Sequence, residues 1–480
     1  MKKILSLLTL LSFLLVQSVA AYDNKYSSAK NSKATHLSKQ EIEENIILEE
    51  KVMTEDEYNK YTEEKIKKIV TYSNYEGLIE TIYKGLDEVK DEIDITEYCN
   101  NIDDTDFNLL MSYYFSVLRE YPEIFYGDNK VSVSYSYYPS SKKISVCKLK
   151  IRYIDTKENI YNMRGKFNIK VKEIEENYLR DEDDKLKLQY IIHDYILANT
   201  TYDYDNYIND TVPKISYNAY GALVEGVAVC EGYSKAAKLL LNLSNIESGI
   251  IISTEMNHGW NYVNINGSYY HMDITWDDST PEKNRSVYNY FNLSDNEISK
   301  DHTWNSDLYP QCTSDKFNFL RKNNSDNMTR IDERIYYFNN NNLYSVNLYG
   351  DNIKNEHNNI NGRCLINRGN ELFFIDGNNV IKYNTIDNTY SVIYEGNESI
   401  NKIYIKGGEI YILDSKGEHV LDISILGDFN YDGVINQVDL SLLALRYGQT
   451  NSESNWNCIY DLNNDNIIDI FDITKLAKMY

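Results

Sequence analysis

The pair Asn266-Gly267 stands between two runs of alternating residues, 258–265 and 268–275, and that combination is the strongest short signal for a β-hairpin. A two-residue turn there fixes the register. Ile265 opposes Ser268, Trp260 opposes Asp273, and His258 opposes Thr275. His258 and Asp273 are then diagonal neighbours on one face, with Trp260 and His271 beside them. Val263, Ile265, Met272 and Ile274 take the other face, an apolar set fit for a core. A one-residue slip would exchange the two faces, so the register is strongly specified.

Upstream of this ribbon lies a turn rich in small residues, with Cys230 at the expected start of a helix over 233–243 and a short apolar strand over 249–252. A helix N-terminus favours a thiolate, and a nearby imidazolium favours it further. Cys230, His258 and Asp273 therefore suit the roles of nucleophile, general base and acid, and orienter of the imidazole.

Cys-Glu-Gly-Tyr at 230–233, His-Gly-Trp-Asn at 258–261 and Asp-Ile-Thr-Trp-Asp-Asp at 273–278 resemble the three ordered motifs of the transglutaminase-like superfamily. The resemblance implies a papain-like fold over 185–312, with Cys230, His258 and Asp273 as its triad. Asp301-His302-Thr303-Trp304 is similar to the closing segment of bacterial members, and His302 is assigned no chemical role. His193, on an apolar helical stretch, reads as a packed structural histidine.

The 480 residues suffice for roughly two to four domains. A formal net charge of -24 argues against nucleic acid or an anionic membrane as partner and suits cation binding. The 45 tyrosines indicate an aromatic-rich globular core. Residues 1–21 have two lysines, a short apolar run and small residues at Ser18, Ala20 and Ala21, the pattern of a cleaved secretory signal peptide. The protein is thus expected outside the cell. The six cysteines form no CxxC pair and no dense framework, so no essential disulfide scaffold is expected.

A flexible leader is expected over 22–37. The region 38–184 reads as α+β, opening on a capping box at Ser38–Glu41 and charged helices to about Val89. A helix over 107–118 and two hairpin strands over 131–138 and 144–154 follow. After a linker at 313–329, the stretch 330–424 repeats short hairpins about every 30 to 40 residues. It is propeller-like, but three units are too few to close a propeller. An open array is expected, as binding surface or spacer.

The last segment, 425–480, carries oxygen ligands in calcium-loop spacing: Asp428, Asn430, Asp432, the Val434 carbonyl, Asn436 and Asp439. The set recurs 33 residues later (461 − 428) as Asp461, Asn463, Asp465, the Ile467 carbonyl, Asp469 and Asp472. Asn466 stands at the sharp turn, a left-handed position that Asn tolerates. Each loop ends in Asp and leads into a helix with matched apolar positions, Leu440 with Ile473 and Leu443 with Leu476. The duplicated segment resembles a type I dockerin, an all-α module with two Ca2+ ions. That likeness implies docking to a cohesin of a cellulosome-type scaffoldin. Where such modules often carry Ser or Thr, this chain has Gln437-Val438 and Ile470-Phe471.

Together these features describe an α+β chain: a secreted thiol protease, amidase or transglutaminase-like enzyme on a scaffold, acting on protein or peptide amides. A non-catalytic binding or adhesion subunit is the alternative. An accessory role in polysaccharide degradation ranks last, since no paired-carboxylate site is legible.

Overall fold

The hairpin forms with the expected turn. In the computed structural model Asn266 and Gly267 both have positive φ (54° and 87°), the backbone of a tight two-residue connection. Ile265 pairs with Ser268, Val263 with Tyr270 and Asn261 with Met272. The structure describes residues 47–69, 77–278, 287–321, 328–406, 409–421, 427–429, 435–451, 457–463 and 465–479. The signal peptide, the leader and the capping box at Ser38–Glu41 lie outside them.

Four strands open the described chain: β1 (Ile47–Thr54), β2 (Glu92–Asp94), β3 (Gly127–Tyr137) and β4 (Ile144–Tyr153), in sheet order β1-β3-β4-β2. β1 corrects the expectation of continuous charged helices. It pairs antiparallel with β3 from Ile47↔Tyr137 to Thr54↔Lys130, and its charges stay in water as an edge strand's do. Helices α1 (Glu55–Ile69), α2 (Leu78–Asp87) and α3 (Phe107–Glu120) pack beside this sheet. Asp106 caps α3 by accepting from the Leu109 N–H at 3.1 Å.

Next come α4 (Lys157–Ile174), α5 (Lys185–Asn199) and α6 (Cys230–Leu243). Strands β5 (Ser248–Ser253), β6 (His258–Ile265), β7 (Ser268–Met272) and β8 (Phe291–Leu293) form a second sheet in the order β8-β7-β6-β5. Helix α6 lies against β5 and β6. Both faces of this sheet are covered. Val263, Ile265 and Met272 join the main core, while Trp260 packs with Ile251, Leu293 and Ile298 in a smaller one. The face expected to be polar is therefore a second interior, and His271 is wholly buried in it.

The second strand of the ribbon ends three residues earlier than its alternation implies. β7 stops at Met272, so neither Trp260↔Asp273 nor His258↔Thr275 exists, and His258 pairs with Ser253 on β5 instead. Asp273 becomes the N-cap of a helical turn, α7 (Ile274–Asp277), accepting from the Trp276 N–H at 3.1 Å. An N-cap Asp satisfies a helical N–H that a strand cannot use, which ends the extended run. Ile274 is still buried.

Three antiparallel sheets follow, each larger than a hairpin. The first holds β9 (Met328–Ile331), β10 (Arg334–Asn339), β11 (Asn342–Asn347) and β12 (Lys354–Asn358). The second runs from Gly362 to Glu395 with four strands, and the third from Ile400 to Leu421 with three. Separate apolar clusters join the first sheet to the second and the second to the third. The described residues of the stretch expected as a linker, 313–321 and 328–329, are packed instead. Phe317 and Leu320 are buried in the main core, and β9 begins at Met328. Met328, Ile335, Tyr337, Val346 and Leu348 from the first sheet belong to that same core.

In the last segment, α8 (Gln437–Ala444) and α9 (Ile470–Ala477) pack around Phe429, Leu443, Tyr460, Leu462, Ile468 and Leu476. Each helix begins with a capping box, Asn436 with Asp439 and Asp469 with Asp472. No helix among the described residues is long and apolar enough to cross a membrane.

Candidate active site

Cys230 is the first residue of α6, and Val229 before it supplies no side-chain cap. The first N–H groups of the helix are thus offered to whatever lies beside the sulfur. Gly232 lets the helix start sit this deep: a Cβ there would lie 2.5 Å from the Ser216 carbonyl oxygen and 2.8 Å from the Ala228 Cβ. Helix and ribbon are pinned in register. Ser234 Oγ donates to the Gly259 carbonyl at 3.0 Å, and Asn261 Nδ2 donates to the Ser234 carbonyl at 3.0 Å. Tyr233 Oη donates to Asp278 Oδ2 at 2.5 Å and ties α6 to the segment that follows α7.

This frame brings the three expected side chains together. His258 Nε2 lies 2.6 Å from Asp273 Oδ2, and the Cys230 sulfur is near enough for its charge to act on the ring. Burial opposes a charge on the ring, but the bond to Asp273 and the negative charges of Asp273 and Cys230 outweigh it and push His258 up to about 10. Asp273 is almost fully buried. Burial alone would raise its carboxyl, yet the ring N–H groups bonded to it hold it below the usual carboxylate range. An ionised aspartate thus faces an imidazole held in one orientation.

Sequence reasoning passed over one member. His302 is buried, with Nε2 3.1 Å from Asp273 Oδ2 and Nδ1 2.6 Å from Asp301 Oδ1. The Asp-His-Thr-Trp run was its only signal. His258, Asp273 and His302 bring three ligand-type atoms within 4.8 Å of one another. They already satisfy each other as two ring N–H donors on one carboxylate oxygen, so a metal ion would have to displace both bonds. His271, Asp295 and Cys312 are similarly close. There His271 Nδ1 accepts from Trp260 Nε1 at 3.0 Å and Nε2 lies 2.8 Å from Asp295, which uses both nitrogens structurally. Burial holds His271 below its ordinary value despite Asp295.

His193 belongs to a buried network of its own. Its Nε2 is 3.0 Å from Asp277 Oδ2 and its Nδ1 3.2 Å from Asp194 Oδ1, while Arg330 Nε donates to Asp194 Oδ2 at 2.8 Å. Burial opposes the charge, but the two aspartates push His193 up to about 9. Replacing His193 by Phe is expected to cost about 3–5 kcal/mol, because it leaves buried carboxylates without their partner. The folded value exceeds the ordinary 6.5, so the ring's charge-dependent stabilisation is full below pH 6.5 and is lost as pH rises through about 9. Urea unfolding of both proteins should show the widest gap near pH 6 and a narrower one at pH 9.5.

Residues 172–274 match the family described as the transglutaminase-like superfamily, a range that holds Cys230, His258 and Asp273. The chain carries a transglutaminase-like domain. A solved structure described as "Crystal structure of a TGase" is 14% identical with a TM-score of 0.22, over 31% of this chain and 46% of that one. Another, "Crystal structure of the tricorn protease", is 10% identical with a TM-score of 0.15, over 35% of this chain and 15% of that one. This chain spans less than half the length of either structure. None of the curated proteins matches it. His302 lies beyond the matched part of the transglutaminase-like domain, on the segment that closes over Asp273.

The calcium-type ligands of the last segment fall in two groups. Asn430, Asp432 and Val434 lie outside the described residues, whereas Asp428 and Asp439 are buried and Asn436 caps α8. The second set is described in full. Asp461 accepts from the N–H groups of Asp465 (3.1 Å) and Asn466 (2.8 Å), and Asp472 from those of Asn463 (3.1 Å) and Asp469 (2.8 Å). Asn466 has φ 71°, the left-handed turn its place in the loop requires. Asp461 and Asp472 are buried, and four carboxylates stand within twelve residues, a hard-oxygen donor set that fits a calcium ion.

Proposed function

We propose that this protein is a secreted, cysteine-dependent acyl-transfer enzyme acting on protein or peptide amides, held on a cellulosome-type scaffold by a calcium-bound dockerin. The observation that carries the enzymatic part is the placement of His258, bonded to Asp273 at 2.6 Å and within electrostatic reach of the Cys230 sulfur. The Cys230 sulfur attacks the carbonyl carbon, and the oxyanion forms beside the Cys230 backbone N–H. His258 delivers its proton to the departing amine, then takes one from the water or amine that resolves the thioester. Asp273 fixes the ring's tautomer throughout. Hydrolysis is the favoured outcome, because water is always at hand.

Tyr202 and Tyr217 lie close enough to Cys230 for a charge on the sulfur to act on their phenols, and Tyr217 is exposed. They supply an aromatic wall for an incoming chain. For the docking part, support comes from the paired loops and from Val438, Ile470 and Phe471, exposed at matching places in the two repeats. Calcium would be held by Asp428, Asn430, Asp432, Val434, Asn436 and Asp439 in one loop and by Asp461, Asn463, Asp465, Ile467, Asp469 and Asp472 in the other. It would supply the charge that lets these carboxylates share one small space.

The test compares wild type with Cys230→Ala on casein, with and without a biotinylated primary amine. New peptide termini or new side-chain carboxylates from wild type alone identify a hydrolase, and biotin incorporation from wild type alone identifies a transferase. Identical products from both proteins would end the enzymatic proposal.

A further inference from the structure

We propose that His302 is a positioning residue of the Cys230 site: a second imidazole that holds the same oxygen of Asp273 as His258 does. This rests on the acyl-transfer reading above and adds a member to the site it describes. Asp273 Oδ2 takes two ring N–H groups, from His258 Nε2 at 2.6 Å and from His302 Nε2 at 3.1 Å, while Oδ1 takes the Trp276 N–H at 3.1 Å. Without His302, Oδ2 would keep the His258 N–H alone, and the carboxylate could tilt about the line through its two remaining donors. Three donors over both oxygens hold its plane, and with it the tilt of the His258 ring.

His302 is itself held. Its Nδ1 meets Asp301 Oδ1 at 2.6 Å, and the other oxygen of Asp301 accepts from Tyr290 Oη at 2.8 Å. Its ring lies 4.2 Å from that of Trp276 and 5.0 Å from that of Trp260, centroid to centroid. A line of polar groups thus runs from Tyr290 through Asp301, His302, Asp273 and His258 to the sulfur. The Tyr290 carbonyl also accepts from the Asp273 N–H at 2.9 Å, so one residue braces backbone and side chain of the same aspartate.

The experiment uses the full-length protein and p-nitrophenyl acetate. The Cys230 thiolate adds to the ester carbonyl, the C–O bond breaks, p-nitrophenolate leaves as a burst, and the protonated His258 releases its proton to bulk water. Water then adds to the thioester, gives its proton to His258, and acetate departs with the thiol restored. Rates are read above those of Cys230→Ala. His302→Phe, which keeps the ring volume but donates nothing, is expected to slow burst and turnover on the order of 10- to 100-fold with KM unchanged. His302→Gln, whose amide can donate from nearly the same point, is expected to restore most of the loss. Thermal midpoints of the two variants should match.

Wild-type rates in His302→Phe would overturn the inference, as would equal losses in His302→Phe and His302→Gln. Should His302→Phe not fold, Asp301→Asn, at a partly exposed site, carries the test: a smaller loss with KM unchanged supports the inference, and a wild-type rate overturns it. A wild type with no burst above Cys230→Ala overturns this inference and the acyl-transfer reading together. A normal wild-type burst with no effect at position 302 overturns this inference alone.

Discussion

His258→Ala is expected to lower kcat on the order of 10⁴- to 10⁶-fold, the scale seen when a general base is removed from a nucleophile that depends on it. No other described histidine can stand in. The nearest ring to His258 among them is that of His302, 5.7 Å away between centroids, and its Nε2 is already committed to Asp273. The loss falls on the reaction step, so KM for a small ester should barely move. Asp273→Asn is expected to cost about 10⁴-fold through the tautomer, because an amide nitrogen facing the ring reverses the hydrogen bond. Stopped-flow bursts and steady-state rates on one ester substrate measure both. A His258→Ala protein within tenfold of wild type would remove the ring from the chemistry.

Chelating calcium is expected to produce the second large effect. Asp461, Asp465, Asp469 and Asp472 stand within one twelve-residue loop, and Asp461 and Asp472 are buried there. Without a cation their mutual repulsion and desolvation act against the turn. A ligand present at 100 times its Kd stabilises by about 2.7 kcal/mol, and that share disappears on chelation. Calorimetry should show a transition of residues 425–480 that moves upward with added Ca2+, while the transglutaminase-like domain keeps its own. Binding to an immobilised cohesin should be lost in chelator and regained with calcium. Asp472→Ala should lower calcium affinity at the second loop without altering Cys230 alkylation. A segment whose melting ignores calcium would refute the metal assignment.

What could be read from the chain follows the range of the forces involved. The Asn266-Gly267 turn sets its own register through local backbone preference, so Ile265↔Ser268 was legible and is found. The second strand's end was not, because alternation alone cannot show that Asp273 prefers to cap a turn. β1 was missed for a different reason. Its partner β3 lies some 80 residues away in sequence, and a charged edge strand looks like an exposed helix. Cys230 and His258 were visible through motif chemistry. His302 was not, because its role depends on an approach to Asp273 across 29 residues that no periodicity encodes. His271 was expected beside the site and instead serves the interior behind Trp260.

Arg330, on the first strand after the transglutaminase-like domain, reaches back to Asp194, which bonds His193, which in turn bonds Asp277 at the end of the turn that Asp273 caps. Lys187 Nζ donates to Glu333 at 2.9 Å, and Tyr349 Oη donates to Asp184 at 2.8 Å across the same seam. A fragment cut at residue 312 by sequence motif alone would therefore lose the guanidinium that neutralises Asp194 and open an apolar wound where Met328, Ile335 and Leu348 had been. A piece that keeps these contacts extends at least through Asn358, so what looks like an appendage is the last wall of the transglutaminase-like domain.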